Sequence, residues 1–251
     1  MSTIVTIRTR GMGFRFWVPF CICVFFVTSL EAADELPHVE KRIIQRCPNG
    51  QAHIEETYRI DHKGRSVQHG VATYFFENGR TNIQVTYANG KRNGPLTEWN
   101  ALTGTIIRQG NFTNDLEAGK WTWWQPTGEK LSECTYKAGK IVGKKISWFN
   151  GKPAVEETYN VAGELVQSIS WHQSEKSEQQ KMAKRGTFKD GKKHGKWTYW
   201  NEDGTIKADG EWKNGKPWSG VCGVPVAGDA GSWGGLEVFS RFANGKKVDA
   251  K

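Results

Sequence analysis

Six histidines lie at His38, His53, His62, His69, His172 and His194, and none has the spacing that metal binding or base catalysis requires. No HxH or HExxH pair would bring two imidazoles to one ion. His69 and His194 each precede a glycine, which reads as turn chemistry. Serine occurs without a GxSxG elbow, and the many Gly-Lys pairs lack the GxxxxGK[ST] frame of a phosphate loop. Glu55-Glu56 and Glu156-Glu157 are adjacent carboxylates. On a strand, neighbours point to opposite faces, so neither pair makes an acid/base couple. Cys21 and Cys23 belong to an N-terminal apolar run, and Cys47, Cys134 and Cys222 are scattered without a CxxC pattern. This inventory predicts a protein that is not an enzyme and uses no metal or cofactor.

Two residue classes remain as binding chemistry. Lys91-Arg92, Lys144-Lys145, Lys192-Lys193 and Lys246-Lys247 are expected in turns at one end of successive hairpins. A row of that kind would attract anionic lipid head groups, glycan or acidic protein, or would simply guard sheet edges against pairing. The second class is tryptophan, present twelve times. Strict alternation places Trp121 and Trp123 opposite Trp124, and Trp197 opposite Trp200. Rings on the wet face would offer a platform for sugars, whereas rings fixed by a repeat are structural. The net charge of +9 invites a nucleic-acid partner, but an export address argues against one.

The elements that must position these residues announce themselves by periodicity. A glycine is followed eight residues later by an aromatic at Gly50/Tyr58, Gly79/Tyr87, Gly104/Phe112, Gly128/Tyr136, Gly151/Tyr159, Gly204/Trp212 and Gly234/Phe242, and Phe188 joins the series. Successive closing aromatics are 23 to 30 residues apart. A second pair, five apart, recurs at Gly70/Phe75, Gly94/Trp99, Gly119/Trp124, Gly143/Trp148 and Gly195/Trp200. Each unit therefore reads as two strands and two short turns. Asn78-Gly79, Asn150-Gly151 and Asp203-Gly204 suit tight hairpin turns, and Asn89-Gly90, Asp190-Gly191, Asn214-Gly215 and Asn244-Gly245 would join one unit to the next. Short connections at both ends make successive strands antiparallel neighbours. Ile83, Val85 and Tyr87, or Ile206, Ala208, Gly210 and Trp212, share the dry face, and Gln84, Thr86, Lys207, Asp209 and Glu211 the wet one. Gly110, Gly186 and Gly210 would leave room for a ring from an adjacent strand.

Residues 16–30 are fifteen uncharged residues behind Arg8, Arg10 and Arg15. This is the pattern of a secretory signal, or of an anchor if it stays uncleaved, and it predicts export to the envelope or beyond. The expected organisation is 1–32 signal peptide, 33–48 lead-in, 49–220 repeats, and 221–251 an irregular C-terminal unit and tail. Within the repeats, 172–185 reads as a solvated loop or short helix. Residues 221–235, which are Gly-rich, read as a surface excursion.

The strings GKKHGKWTYWNEDGTIKADGEW (191–212), VQHGVATYFFENG (67–79) and YANGKRNG (87–94) resemble MORN repeats. They are closest to the repeat variant of YwqK-like antitoxin-repeat proteins. The resemblance implies an all-β fold, an elongated single-layer antiparallel sheet of consecutive β-hairpin repeats. It implies scaffolding, protein binding or membrane association, with an antitoxin or immunity-like role as a further alternative. In such an array Gly70, Gly94, Gly119, Gly143 and Gly195 mark the bends. Phe75, Trp99, Trp124, Trp148, Trp200, Tyr87, Phe112, Tyr136, Tyr159, Phe188 and Trp212 are then the structural rings. On an extended sheet, Cys47 and Cys222 would stand roughly 70 Å apart and could not bridge. Cys134 shares a face with Tyr136 and is expected as a buried thiol.

Overall fold

The structure, a computed structural model, describes residues 38–173, 180–225 and 237–248. The expected signal peptide, the middle of the charged stretch and most of the Gly-rich excursion lie outside the described residues. Every regular element among the described residues is a β-strand, so no helix there is long and apolar enough to cross a membrane. The chain divides into two compact units. One runs through Gly104 and includes Phe112–Asp115; the other comprises Thr105–Asn111 and the chain from Leu116 onward.

The first unit contains β1 (His38–Arg46), β2 (Ala52–Ile60), β3 (Ser66–Gln68), β4 (Gly70–Phe75), β5 (Thr81–Ala88) and β6 (Lys91–Trp99). All its recorded pairings are antiparallel: β1 with β2, β2 with β3 and β4, β4 with β5, and β5 with β6. The lead-in is thus largely a strand. β3 and β4 share β2 because the chain breaks at His69, whose N–H donates to the Thr57 carbonyl at 2.8 Å. Strand β7 (Ile106–Thr113) is divided between the units.

The second unit continues with β8 (Leu116–Trp124), β9 (Lys130–Lys137), β10 (Lys140–Phe149), β11 (Lys152–Tyr159) and β12 (Leu165–Trp171). It then runs through β13 (Met182–Lys189), β14 (Lys192–Trp200), β15 (Ile206–Lys213), β16 (Lys216–Pro225), β17 (Glu237–Ala243) and β18 (Lys246–Val248). Each strand from β8 to β18 pairs antiparallel with the next. The expectation of consecutive hairpins holds. Two expectations are corrected: residues 182–185 are the start of β13, and residues 221–225 complete β16 rather than begin an excursion.

Two turn types recur. In turns such as Phe76–Arg80, Gln125–Glu129 and Asn201–Thr205, the first residue donates its N–H to the fifth residue's carbonyl, and the fourth, a glycine, donates back to the first. Asn78 and Asp203 therefore stay out of the left-handed region, and only Gly79 and Gly204 enter it. The other turns, including Asn89-Gly90, Asn150-Gly151 and Asn214-Gly215, are two-residue connections with positive φ at both positions, the pattern that matches strand twist. These short turns interlock. In the first unit Gly90 donates to the Gln68 carbonyl and Asp115 to that of Arg92. In the second, Gly139 donates to Glu117, Gly215 to Lys193 and Gly245 to Trp218, all at 2.8–3.0 Å. Each of these hairpins is thereby tied to the chain before it, which suits an array stabilised by neighbour contacts.

Gly94, Gly143 and Gly195 sit in bulges. Between β13 and β14 the partners step from Gly186/Trp197 to Thr187/His194, so β14 carries two extra residues there, one of them Gly195 with φ +75°. The second residue after a bend glycine then enters the core. Ala72, Leu96, Trp121, Trp197 and Cys222 are all buried in this position, and Lys145, after Gly143, is the half-buried exception. This revises the expected ring assignment. Trp121 and Trp197, whose place opposite Trp124 and Trp200 left a wet-face platform open, are each only 2% exposed, whereas Phe75, Trp99, Trp124, Trp148 and Trp200 are half-buried. A one-residue slip in register lies immediately before Phe75, Trp124, Trp148 and Trp200, with the extra residue on the partner strand, so what is corrected is the choice of buried face and not the alternation along these strands.

Glycines make space for the core rings as expected. A Cβ on Gly110 would lie 2.1 Å from the Trp121 ring, and one on Gly186 2.0 Å from Trp197. The Trp121 indole N–H donates to the Asn111 carbonyl at 3.2 Å, and that of Trp197 to the Thr187 carbonyl at 3.0 Å. Gly210 differs, because the nearest neighbour of its missing Cβ is the Cys222 thiol at 2.6 Å. Cys47, Cys134 and Cys222 are free, buried thiols, and burial pushes the pKa values of Cys134 and Cys222 up.

Candidate binding groove

The register of β11 to β15 places Val155, Ser170, Lys184, Tyr199 and Ala208 side by side across five strands. The first four line the floor of a groove of about 680 Å³ in the second unit. Its walls are aromatic: Phe149, Trp171, Trp200 and Phe239. The slips in register build it. Ala154 is the extra residue opposite Ser147/Trp148, Ala183 opposite Ser170/Trp171, and Lys207 opposite Tyr199/Trp200. All three extra residues line the groove. The same slip on β9 carries Leu131. Two alanines in this column are too small to fill the space that a leucine occupies nearby.

One end of the groove is charged. Glu237 Oε1 accepts from Lys193 Nζ at 3.1 Å, and its Oε2 lies 4.0 Å from Lys184 Nζ. Lys193 is held between two rings, 4.4 Å from the Trp197 centroid and 4.5 Å from that of Trp212, as a cation drawn to π faces would be. Burial pushes its pKa down, opposed by the Glu237 carboxylate. Burial likewise drives the Tyr199 phenol far above its usual range, assisted by the charge of Glu237. Lys207 Nζ lies 4.6 Å from the Phe239 centroid. Two of the neutral polar groups are engaged within the chain. His172 Nε2 is 2.9 Å from the Trp200 carbonyl, and Gln173 donates to the Pro153 and Trp171 carbonyls.

The eight basic candidates do not form one row. Lys91, Lys192 and Lys246 follow two-residue turns and are exposed, as is Lys247. Lys144 and Lys145 sit mid-strand instead, paired with Glu156 at 3.0 Å and with buried Glu157 at 3.1 Å. Their place beside a turn is taken by Lys140, because the turn precedes Gly143 by several residues. Arg92 pairs with Asp115 at 3.2 Å, and Lys193 is enclosed in its cage of rings. Glu56 and Glu157 each accept a hydrogen bond from the tyrosine two residues on, Tyr58 at 2.5 Å and Tyr159 at 3.2 Å, as expected for residues on one face. His69 is the break between β3 and β4, while His194 lies within β14.

Sequence reasoning missed Lys184, Lys207, Glu237, Phe149, Trp171, Ala154 and Ala183 as groove residues. Counting strand register outward from Tyr199 would have found Lys184. Glu237 follows the Gly-rich segment and belongs to no repeat position, so no periodic signal marks it.

Comparison with known families places the MORN repeat variant at residues 68–89, 118–138 and 193–214. Those segments contain β4–β5, most of β8–β9 and most of β14–β15, each a hairpin with its bend glycine. No curated protein matches the chain. The three matched hairpins are thus MORN repeats of the variant type, set in a chain of consecutive hairpins.

Proposed function

We propose that this chain is an exported, non-enzymatic scaffold that binds another protein through the groove of its second unit. MORN repeats suggest binding to protein or membrane. The observation that carries the protein reading is the groove itself, an aromatic-walled cleft with a few charged groups at one end, which is the make-up of a binding site. Phe149, Trp171 and Trp200 lie outside the buried core cluster of Trp197, Tyr199 and Trp212, against which Phe239 packs. Export rests on the basic and apolar pattern of residues 1–30. The membrane alternative is weakened because four of the eight candidate cations already have carboxylate partners.

The test is site-specific photo-cross-linking in the native cell, with the photoreactive residue at Phe149, which is 54% exposed on the groove wall. The expected result is one discrete protein adduct in an envelope or extracellular fraction. A control probe at Val39, exposed on β1, should not give that adduct. Adducts confined to lipid or glycan, or the same products from both sites, would overturn the reading.

A further inference from the structure

The groove carries an imbalance that identifies what it should hold. Two ammonium groups, Lys184 and Lys207, line the groove beside one carboxylate, Glu237, which Lys193 pairs from beside the lining. Lys193 takes the short bond to that carboxylate. Lys184 stands at the outer limit of pairing at 4.0 Å, and Lys207 rests on a ring face. Against this charged end, Phe149, Ala154, Val155, Trp171, Ala183 and Phe239 form an apolar wall. His172 and Gln173 spend their hydrogen bonds on backbone carbonyls.

Resting on the protein-binding reading above, we infer that the groove receives an extended peptide segment of the partner in which an apolar side chain lies beside a carboxylate. The apolar group seats over Ala154 and Ala183, between Phe149 and Trp171. The carboxylate meets Lys184 and Lys207. A ligand rich in hydroxyls, such as a neutral glycan, would find few groups to satisfy it, and burying unpaired polar groups is costly. A polyanion would have to set several charges against the apolar wall and against Glu237. A single carboxylate beside an apolar group matches both ends.

The experiment is a fluorescence-anisotropy titration of the full chain with three labelled dodecapeptides. One alternates Glu with Leu and Phe, the second replaces Glu by Lys, and the third replaces Leu and Phe by Ser. The first should bind at least tenfold more tightly than either of the others and weaken as salt is raised. Ala183→Leu, which puts into the column the side chain found at Leu131, should weaken it tenfold or more. Lys207→Gln should weaken it severalfold. Lys207 is exposed, so that variant should keep the wild-type melting temperature and distinguish lost recognition from lost fold. Lys91→Gln, in the first unit, should change nothing.

Equal binding of the three peptides, unaltered affinity in both groove variants, or displacement of the acidic peptide by hyaluronan at lower concentration would overturn the inference. If no peptide binds while cross-linking at Phe149 still yields its protein adduct, the partner chemistry is wrong and the scaffold reading stands. If both fail, both fall.

Discussion

The same repeat position holds Arg92 in the first unit and Lys193 in the second, each two residues before a bend glycine. Both carbonyls accept the N–H of the next short turn at 2.9 Å. Both cations lie over the aromatic that closes the next strand, Arg92 4.1 Å from the Phe112 centroid and Lys193 4.5 Å from that of Trp212. Their partners differ. Arg92 meets Asp115, from the adjoining turn, with side chains 39% and 45% exposed; Lys193 meets Glu237, from β17, with side chains 21% and 15% exposed. The repeat thus fixes where a cation and a ring meet. Whether that meeting is wet or sheltered depends on what fills the second position after the bend glycine, which is Leu96 in one hairpin and Trp197 in the other.

The largest effect should come from removing that difference at its source. Trp197 is buried against Gly186 and donates its indole hydrogen bond, so Trp197→Ala should cost about 3–5 kcal/mol. Gly186→Ala attacks the same contact from the other side. Its Cβ would fall 2.0 Å from the ring, and the overpacking should cost about 1–3 kcal/mol or more. Half-buried Trp200, in contrast, should cost less than Trp197 when replaced by Ala. Urea denaturation of the three variants ranks them, and a Trp200 variant as unstable as the Trp197 variant would contradict the revised core.

The next effect separates the two ion pairs directly. Glu237→Ala leaves Lys193 charged between two rings and Tyr199 without its acceptor, and should destabilise by about 3 kcal/mol. Asp115→Ala removes an exposed partner and should cost far less than Glu237→Ala. Thermal unfolding of both variants at low and high salt checks this, since only the exposed pair should be sensitive to screening. Equal losses would mean that the two sites are not different in kind.

Much of this architecture was legible in the sequence, because Gly and ring spacing is a covalent record of turn and bulge positions. Hairpin order, the short turns and the space beside Gly110 and Gly186 all follow from it. Which ring lies inside did not follow. Alternation sets Trp197 opposite Trp200 but does not say which face is dry, and the structure buries Trp197, while slips such as that at Tyr199/Trp200 add their extra residue to the partner strand. The same slips put Ala183 and Lys184, adjacent in sequence, into one groove. Glu237 was illegible for a different reason: its role depends on β17 pairing with β16 after a non-repetitive segment, and no local pattern encodes that pairing.

The smallest effect sharpens the comparison at high pH. Burial is the leading cause that raises Tyr58 and Tyr74, in the first unit, and Tyr136, in the second, to about 12, and it raises Tyr199 further. The unfolded phenols ionise near pH 10. Between about pH 10 and 12 the unfolded chain therefore binds fewer protons than the folded one, and stability falls as pH rises through that window. Below pH 10 this contribution is fully present. Absorbance of ionised tyrosine near 295 nm, followed alongside circular dichroism, should show Tyr58, Tyr74 and Tyr136 titrating before any loss of sheet. Tyr159 and Tyr199, both raised further by burial, should ionise only as the second unit unfolds, and Tyr199→Phe should reduce that last step. A Tyr199 that titrates with the others would mean that its phenol is open to water and that Glu237 closes nothing off.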